Sequence, residues 1–176
     1  MKKEIEVPED VDVTVKKESV RVESGDTSVE KGLSYPGVVI ENKGDKIEVS
    51  TESKRKEDVS IVGTYTSAIK NMISGVKNPF VYELQSVYSH FPTNVKVQGN
   101  EVLIENFMGE KNPRKIEIFD NVNVEVDGEK IKVSGADKES VGQTAARIEE
   151  ACHKGNRDPR KFQDGVYITK KGERNE

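Results

Sequence analysis

The chain has 176 residues, of which 34% are charged and 33% hydrophobic, with 28 Lys and Arg against 32 Asp and Glu. An ordinary globular protein is about 25% charged. Apolar runs reach only a few residues, which excludes a transmembrane helix, and no charged stretch leads into an apolar one, so no secretory leader and no membrane partner are expected. A single Cys excludes an internal disulfide framework and a multi-cysteine zinc site. The net charge of −4 on its own speaks against a nucleic-acid partner.

The chain contains itself twice. Val13-Thr14-Val15 followed by Val20-Arg21-Val22 recurs as Val95-Lys96-Val97 followed by Val102-Leu103-Ile104, 82 residues later. Each alternating pair reads as a β-hairpin with one buried face, turning at Lys16 to Ser19 and at Gln98 to Glu101. Gly44-Asp45-Lys46-Ile47-Glu48-Val49-Ser50 recurs as Gly128-Glu129-Lys130-Ile131-Lys132-Val133-Ser134 at an offset of 84. Each follows a strand pattern, Val38/Ile40 or Val122/Val124/Val126, and so closes a second hairpin. Asp127-Gly128 is a strong hairpin-turn signal.

A helix follows in each copy. In the first, Val62, Tyr65, Ile69, Met72, Ile73 and Val76 predict a helix near Ser60 to Ser74, after a charged loop from Thr51 to Asp58. In the second, Val141, Ala145, Ile148 and Cys152 fall on one face. Ser140 reads as the N-cap with Gln143 completing a capping box, and Gly155 as a stop. The expected fold is therefore α+β: two small domains by tandem duplication, each an antiparallel β-sheet packed on one helix. The expected divisions are 1–82, 83–154 and a basic C-terminal tail, 155–176.

Residues that could do chemistry are few. Cys152 and His153 are adjacent on a helix and point roughly 100° apart, so they do not form a nucleophile pair. His90 has no partner in the sequence. Asp10/Asp12 and Glu125/Asp127 alternate with apolar residues as solvated sheet faces. No metal-ligand spacing and no glycine-rich phosphate loop occur. No enzyme, metal or cofactor is expected.

Charge is distributed unevenly along the chain. Residues 1–60 hold 11 basic and 15 acidic residues. From Ala151 to Arg174 there are seven basic residues (Lys154, Arg157, Arg160, Lys161, Lys170, Lys171 and Arg174) and three acidic ones, Asp158, Asp164 and Glu173. Phe162 and Tyr167 lie among them. Such a segment suits RNA, with cations for phosphates and rings for unpaired bases, and it equally suits a solvated tail. Gly142 near a helix start leaves open either a backbone N–H phosphate contact or a close helix–sheet contact.

Gly142-Gln143-Thr144-Ala145-Ala146-Arg147-Ile148-Glu149, together with Asp158-Pro159-Arg160-Lys161-Phe162-Gln163-Asp164-Gly165-Val166-Tyr167, resembles the C-terminal part of the large-subunit ribosomal protein six family. Val87-Tyr88-Ser89-His90-Phe91-Pro92, Asn106-Phe107-Met108-Gly109-Glu110-Lys111 and Ile5-Glu6-Val7-Pro8-Glu9-Asp10-Val11 are similar to its archaeal branch, to which the eukaryotic protein nine is related. The resemblance implies a duplicated α+β fold and a structural role in the cytoplasmic ribosome. The implied partners are large-subunit rRNA near the sarcin–ricin region, neighbouring large-subunit proteins and translation factors docking nearby. By position it implies RNA contacts at Gly142, Gln143, Lys154, Arg157, Arg160, Lys161, Gln163, Tyr167, Lys170 and Lys171. The alternative on the residues alone is a tandem β-sheet protein-interaction module with no RNA role.

Overall fold

A computed structural model describes residues 1–155, 157–158 and 160–174, with the side chains of Glu173 and Arg174 left undescribed. Of the segment set apart as a tail, Asn156, Pro159, Asn175 and Glu176 lie outside the described residues. The chain divides into two compact units, Met1–Asn78 and Pro79–Glu176.

The first unit holds β1 (Lys2–Glu6), β2 (Asp12–Val15), β3 (Ser19–Ser24), β4 (Thr27–Gly32), β5 (Val38–Asn42), β6 (Lys46–Thr51) and α1 (Lys56–Lys77). Its strands form two antiparallel sheets, ordered β1-β6-β5 and β2-β3-β4. Val13 faces Val22 and Val15 faces Val20, as the hairpin pattern requires. Val20, Val22, Ile47 and Val49 are buried with Val62, Ile69, Met72, Ile73 and Val76 of α1 in one core. The helix is longer at both ends than its apolar pattern alone indicates. Glu57 and Asp58 occupy its first turn and Lys77 its last, where each sign of charge suits the helix dipole. The charged stretch read as a loop is therefore partly helix.

The second unit holds β7 (Phe80–Val87), β8 (Asn94–Gln98), β9 (Glu101–Glu105), a 3-10 turn (Phe107–Gly109), β10 (Arg114–Glu117), β11 (Val122–Asp127), β12 (Lys130–Gly135), α2 (Lys138–Ala151) and β13 (Gly165–Arg174). The sheets are β10-β9-β8 and β11-β12-β7-β13, all pairs antiparallel. Leu84, Val102, Ile104, Ile131 and Val133 pack with Val141, Ala145, Ile148 and Cys152 of α2. Asp127 faces Lys130, so the hairpin turns on Gly128 (φ 60) and Glu129. Glycine takes that left-handed conformation without a Cβ clash.

Three further expectations change. The division falls at Asn78/Pro79 rather than at 82/83, a point that lies inside the continuous strand β7. Residues 165–174 are a strand hydrogen-bonded along β7, with Val166 in the core, rather than an appendage. The N-cap of α2 is Asp137, whose carboxylate accepts from Glu139 N–H and Ser140 N–H. Ser140 instead donates its hydroxyl to Asp137 Oδ2 at 2.5 Å.

Candidate nucleic-acid interface

At the start of α2, three backbone donors are taken. Asp137 occupies the N–H groups of Glu139 and Ser140, and Val141 N–H meets the Asp137 carbonyl. Gly142 lies in the second turn, where the i→i−4 ladder uses its N–H. Glycine does suit a close helix–sheet contact there: a Cβ would stand 3.2 Å from Tyr82 Oη, so that the phenol would have to give way by a few tenths of an ångström. Gly172 (φ +59) approaches the same tyrosine, with a Cβ position 3.3 Å from Tyr82 Cε2 and 3.5 Å from Lys138 Cε. Tyr82 is thus met by both Gly142 of α2 and Gly172 of β13, and Lys138 of α2 lies beside Gly172. Gln143, Lys170 and Lys171 are exposed.

β13 carries its lysines outward because it is irregular. Val166 is buried and Ile168 half-buried against the core. Unbroken alternation would turn Lys170 to that same inner face. Register shifts between Ile168 and Lys170 and again between Lys170 and Glu173 break the alternation. Thr169, Lys170 and Lys171 are consequently all exposed. The Thr169 hydroxyl donates to the Glu83 carbonyl at 3.1 Å, and Lys170 meets the Glu83 carboxylate at 3.6 Å. Across the sheet, Glu125, Lys132, Glu83 and Lys170 stand directly opposite one another with alternating sign.

The segment after α2 is a separate group of residues, built around two buttresses. Arg114 donates to the carbonyls of Ala151 and His153 (3.1 Å for the latter), closing the helix end. It pairs with both oxygens of Glu110 at 2.8 and 2.5 Å and lies 4.4 Å over the Phe107 ring. The guanidinium holds the Glu110 carboxyl below the usual carboxylate range. Lys154 is the second buttress. Its ammonium donates to the Phe162 carbonyl and, at 2.9 Å, to Tyr167 Oη, which in turn donates to the Gln163 carbonyl at 2.7 Å. The Tyr167 ring covers Gly165, where a Cβ would be 3.2 Å away. Arg157 lies 5.5 Å over the Phe162 ring. Arg160 grips Asp158 through two oxygens at 3.1 and 3.0 Å and lowers its pKa. Lys161 is exposed.

The anticipated residues thus fall into two groups along β13. Lys154, Arg157, Arg160, Lys161, Gln163 and Tyr167 gather before and at its start. Lys170 and Lys171 lie near its end, where Lys138 of α2 meets Gly172 and Gly142 meets Tyr82. Three contributors had no signal in the sequence: Lys138, Arg114, and Glu149, whose carboxylate accepts Ile168 N–H at 3.0 Å and so holds β13 to α2. Cys152 lies buried in the wall of a cleft between the end of α2 and β13, while His153 is exposed. Burial pushes the Cys152 thiol up, which suits a packing role rather than a nucleophile. Among the described residues, no three His, Cys, Asp or Glu side chains are placed to share a metal ion, and no helix is long and apolar enough to cross a membrane.

The family model for Ribosomal protein L6 matches residues 91–165. The large ribosomal subunit protein uL6 of Methanococcus vannielii is 45% identical over 97% of this chain and 94% of its own length. That of Archaeoglobus fulgidus is 47% identical over 95% and 88%, and that of Haloarcula marismortui 44% over 97% and 96%.

Proposed function

This chain belongs to the ribosomal protein L6 family, and from that premise we propose that it is a large-subunit protein that holds rRNA through its second unit. The ribosomal role is structural and non-enzymatic, and its place is the cytoplasmic ribosome. The finer reading concerns the surface. Arg157, Arg160, Lys161 and Lys171 present charge to phosphates, with Lys170 at the sheet edge and Gln143 exposed on α2. Lys154 and Gln163 fix the segment that carries Tyr167. Gly142 contributes by seating α2 on Tyr82 rather than by donating its N–H.

The single observation that carries this reading is the placement of the basic residues. They are held on a buttressed segment and a bulged strand of the second unit instead of trailing from it. The site on the subunit is near the sarcin–ricin region, with neighbouring ribosomal proteins beside it and translation factors docking close by. Removing residues 154–176 would also strip β13 from β7, so substitution is the sharper test. Arg157→Glu combined with Lys161→Glu leaves the core untouched. A tagged chain with both changes should sediment away from large subunits, while the unaltered chain co-sediments. A sheet module without an RNA role requires equal occupancy for both.

A further inference from the structure

Phe91 is 43% exposed and Phe162 41%, with Tyr88 and Tyr167 at 38%. Gripping phosphates does not require so much aromatic surface in water. Contacts join Phe91, Phe162 and Tyr167 into a strip. The His90 and Phe91 rings meet edge to face, centroids 4.8 Å apart. Phe91 lies on Gly109, where a Cβ would be 3.3 Å from the ring. Next to Gly109, Met108 Sδ receives Arg157 Nη1 at 3.6 Å, and Arg157 covers Phe162. Lys154 then links Phe162 to Tyr167.

The middle of the strip is held in a costly conformation. Asn106 (φ 56) and Met108 (φ 51) are both left-handed without being glycine. The Asn106 amide donates to the Pro92 carbonyl at 3.1 Å, tying this turn to the Phe91 segment. Strain of this kind persists where the surrounding structure enforces it, and it concentrates at binding sites. The nearby carboxylates of Asp158, Glu110 and Asp164 all have partners. Asp158 is engaged by Arg160, Glu110 by Arg114, and the buried Asp164 accepts from Ser89 Oγ at 3.0 Å. Arg157 stands over the Phe162 ring, and Lys154 sits at the hydroxyl of Tyr167. Rings interleaved with cations match a nucleotide, which pairs a π face with a phosphate, better than they match an apolar protein face.

We infer that this strip seats unpaired nucleobases of an RNA loop or bulge, with Phe91 and Phe162 as the stacking surfaces and Arg157 between them. The inference rests on the rRNA reading above and adds which part of the RNA is touched: unstacked bases rather than duplex backbone.

The test uses large subunits purified from cells expressing the full chain. Short-wave ultraviolet light joins stacked bases to protein without a linker, and digestion then maps the peptides that carry nucleotide. Adducts are expected on the peptides containing Phe91 and Phe162. Phe91→Leu and Phe162→Leu should each lower the adduct on their own peptide about tenfold, and weaken binding of the isolated chain to rRNA by about the same factor. Phe91→Tyr should restore both. Both positions are exposed, so folding is not at stake. Subunits that contain the chain but yield no adduct on either peptide overturn the inference and leave the rRNA reading standing. Cross-links from the Phe91 segment to another protein in place of RNA overturn it as well. Absence of the chain from large subunits removes the rRNA reading itself.

Discussion

Tyr82 and Gly142 are in contact across the helix–sheet interface of the second unit, with the phenol oxygen 3.2 Å from where a Cβ on Gly142 would stand. A helical Gly→Ala change ordinarily stabilises by about 1 kcal/mol. Here the crowding opposes it, so Gly142→Ala should change stability by less than about 0.5 kcal/mol. With Tyr82→Phe, the nearest atom becomes the ring carbon at 3.5 Å. In that background the full gain of about 1 kcal/mol should appear. Hydrogen exchange of α2 amides reads this in the intact chain. Equal gains in both backgrounds would mean that the contact is inert.

Gly135 is the more severe case. A Cβ there would lie 2.8 Å from the Asn121 carbonyl oxygen and 2.9 Å from Val141 Cγ2. Neither can retreat cheaply, since one is backbone and the other is in the core. Gly135→Ala should cost about 1–3 kcal/mol as an overpacking change. Urea unfolding of the full chain followed by α2 exchange measures it, and a loss under about 0.5 kcal/mol would contradict the packing described.

Acid should weaken the first unit through Glu48. Glu4, Glu48 and Glu41 stand opposite one another across β1, β6 and β5. Lys2, at 2.8 Å, and Lys43 both reach Glu48. Their hydrogen bonds hold its carboxyl below the ordinary value. A carboxyl lowered in the folded state stabilises at pH above its unfolded pKa, about 4.3. That contribution is lost as pH falls through the lower, folded value. Amide protection in β6 should therefore fall with acid more steeply in the parent chain than in Glu48→Gln. Parallel curves would show that the pairing contributes nothing.

Cys152 should resist alkylation. It is 4% exposed, and burial raises its pKa, so both access and thiolate are scarce. Iodoacetamide at neutral pH should label the native chain at least about a hundredfold more slowly than the urea-unfolded chain. Comparable rates would place the thiol in solvent.

Lys170 and Lys171 should differ in their effect on RNA affinity. Removing a cation that neutralises a phosphate flattens the dependence of log K on log salt by about one unit or slightly less. Lys170 already meets Glu83. Lys171→Ala should therefore flatten the potassium dependence of rRNA binding more than Lys170→Ala does. An unchanged slope in both variants would remove β13 from the interface.

Much of the fold was readable because strand and helix periods are local. The Val13/Val15 and Val20/Val22 alternation gave its own register, and Val141, Ala145, Ile148 and Cys152 marked one buried face. Helix ends were less readable, since Asp137 and Ser140 are both good capping residues and only the backbone path decides between them. β13 was hidden by its own irregularity: Val166 and Ile168 alternate, and then Thr169-Lys170-Lys171-Gly172 does not. Among candidate RNA-facing residues, the cations were visible but their engagements were not. Nothing local says that Arg160 is bound to Asp158 or that Lys154 is spent holding Tyr167. The charge pattern along the chain suggested an acidic first half. By structural unit, residues 1–78 carry 13 basic and 15 acidic side chains and residues 79–176 carry 15 and 17, so each unit sums to −2. The polarity lies inside the second unit.

The pairing of β13 with β7 also has a kinetic meaning. It joins Gly165 to Val87 and Arg174 to Phe80, the two extremes of the second unit's own sequence. In the first unit, the longest ladder joins Lys2 to Ser50, a much shorter span. Loop closure makes distant pairings late events in folding. Until that last zipper closes, β7 keeps an open edge and Lys170 and Lys171 have no fixed direction. The basic face of the second unit is thus completed by its most distant pairing, and under the proposed rRNA role an encounter before that pairing forms would meet loose charge instead of a shaped face.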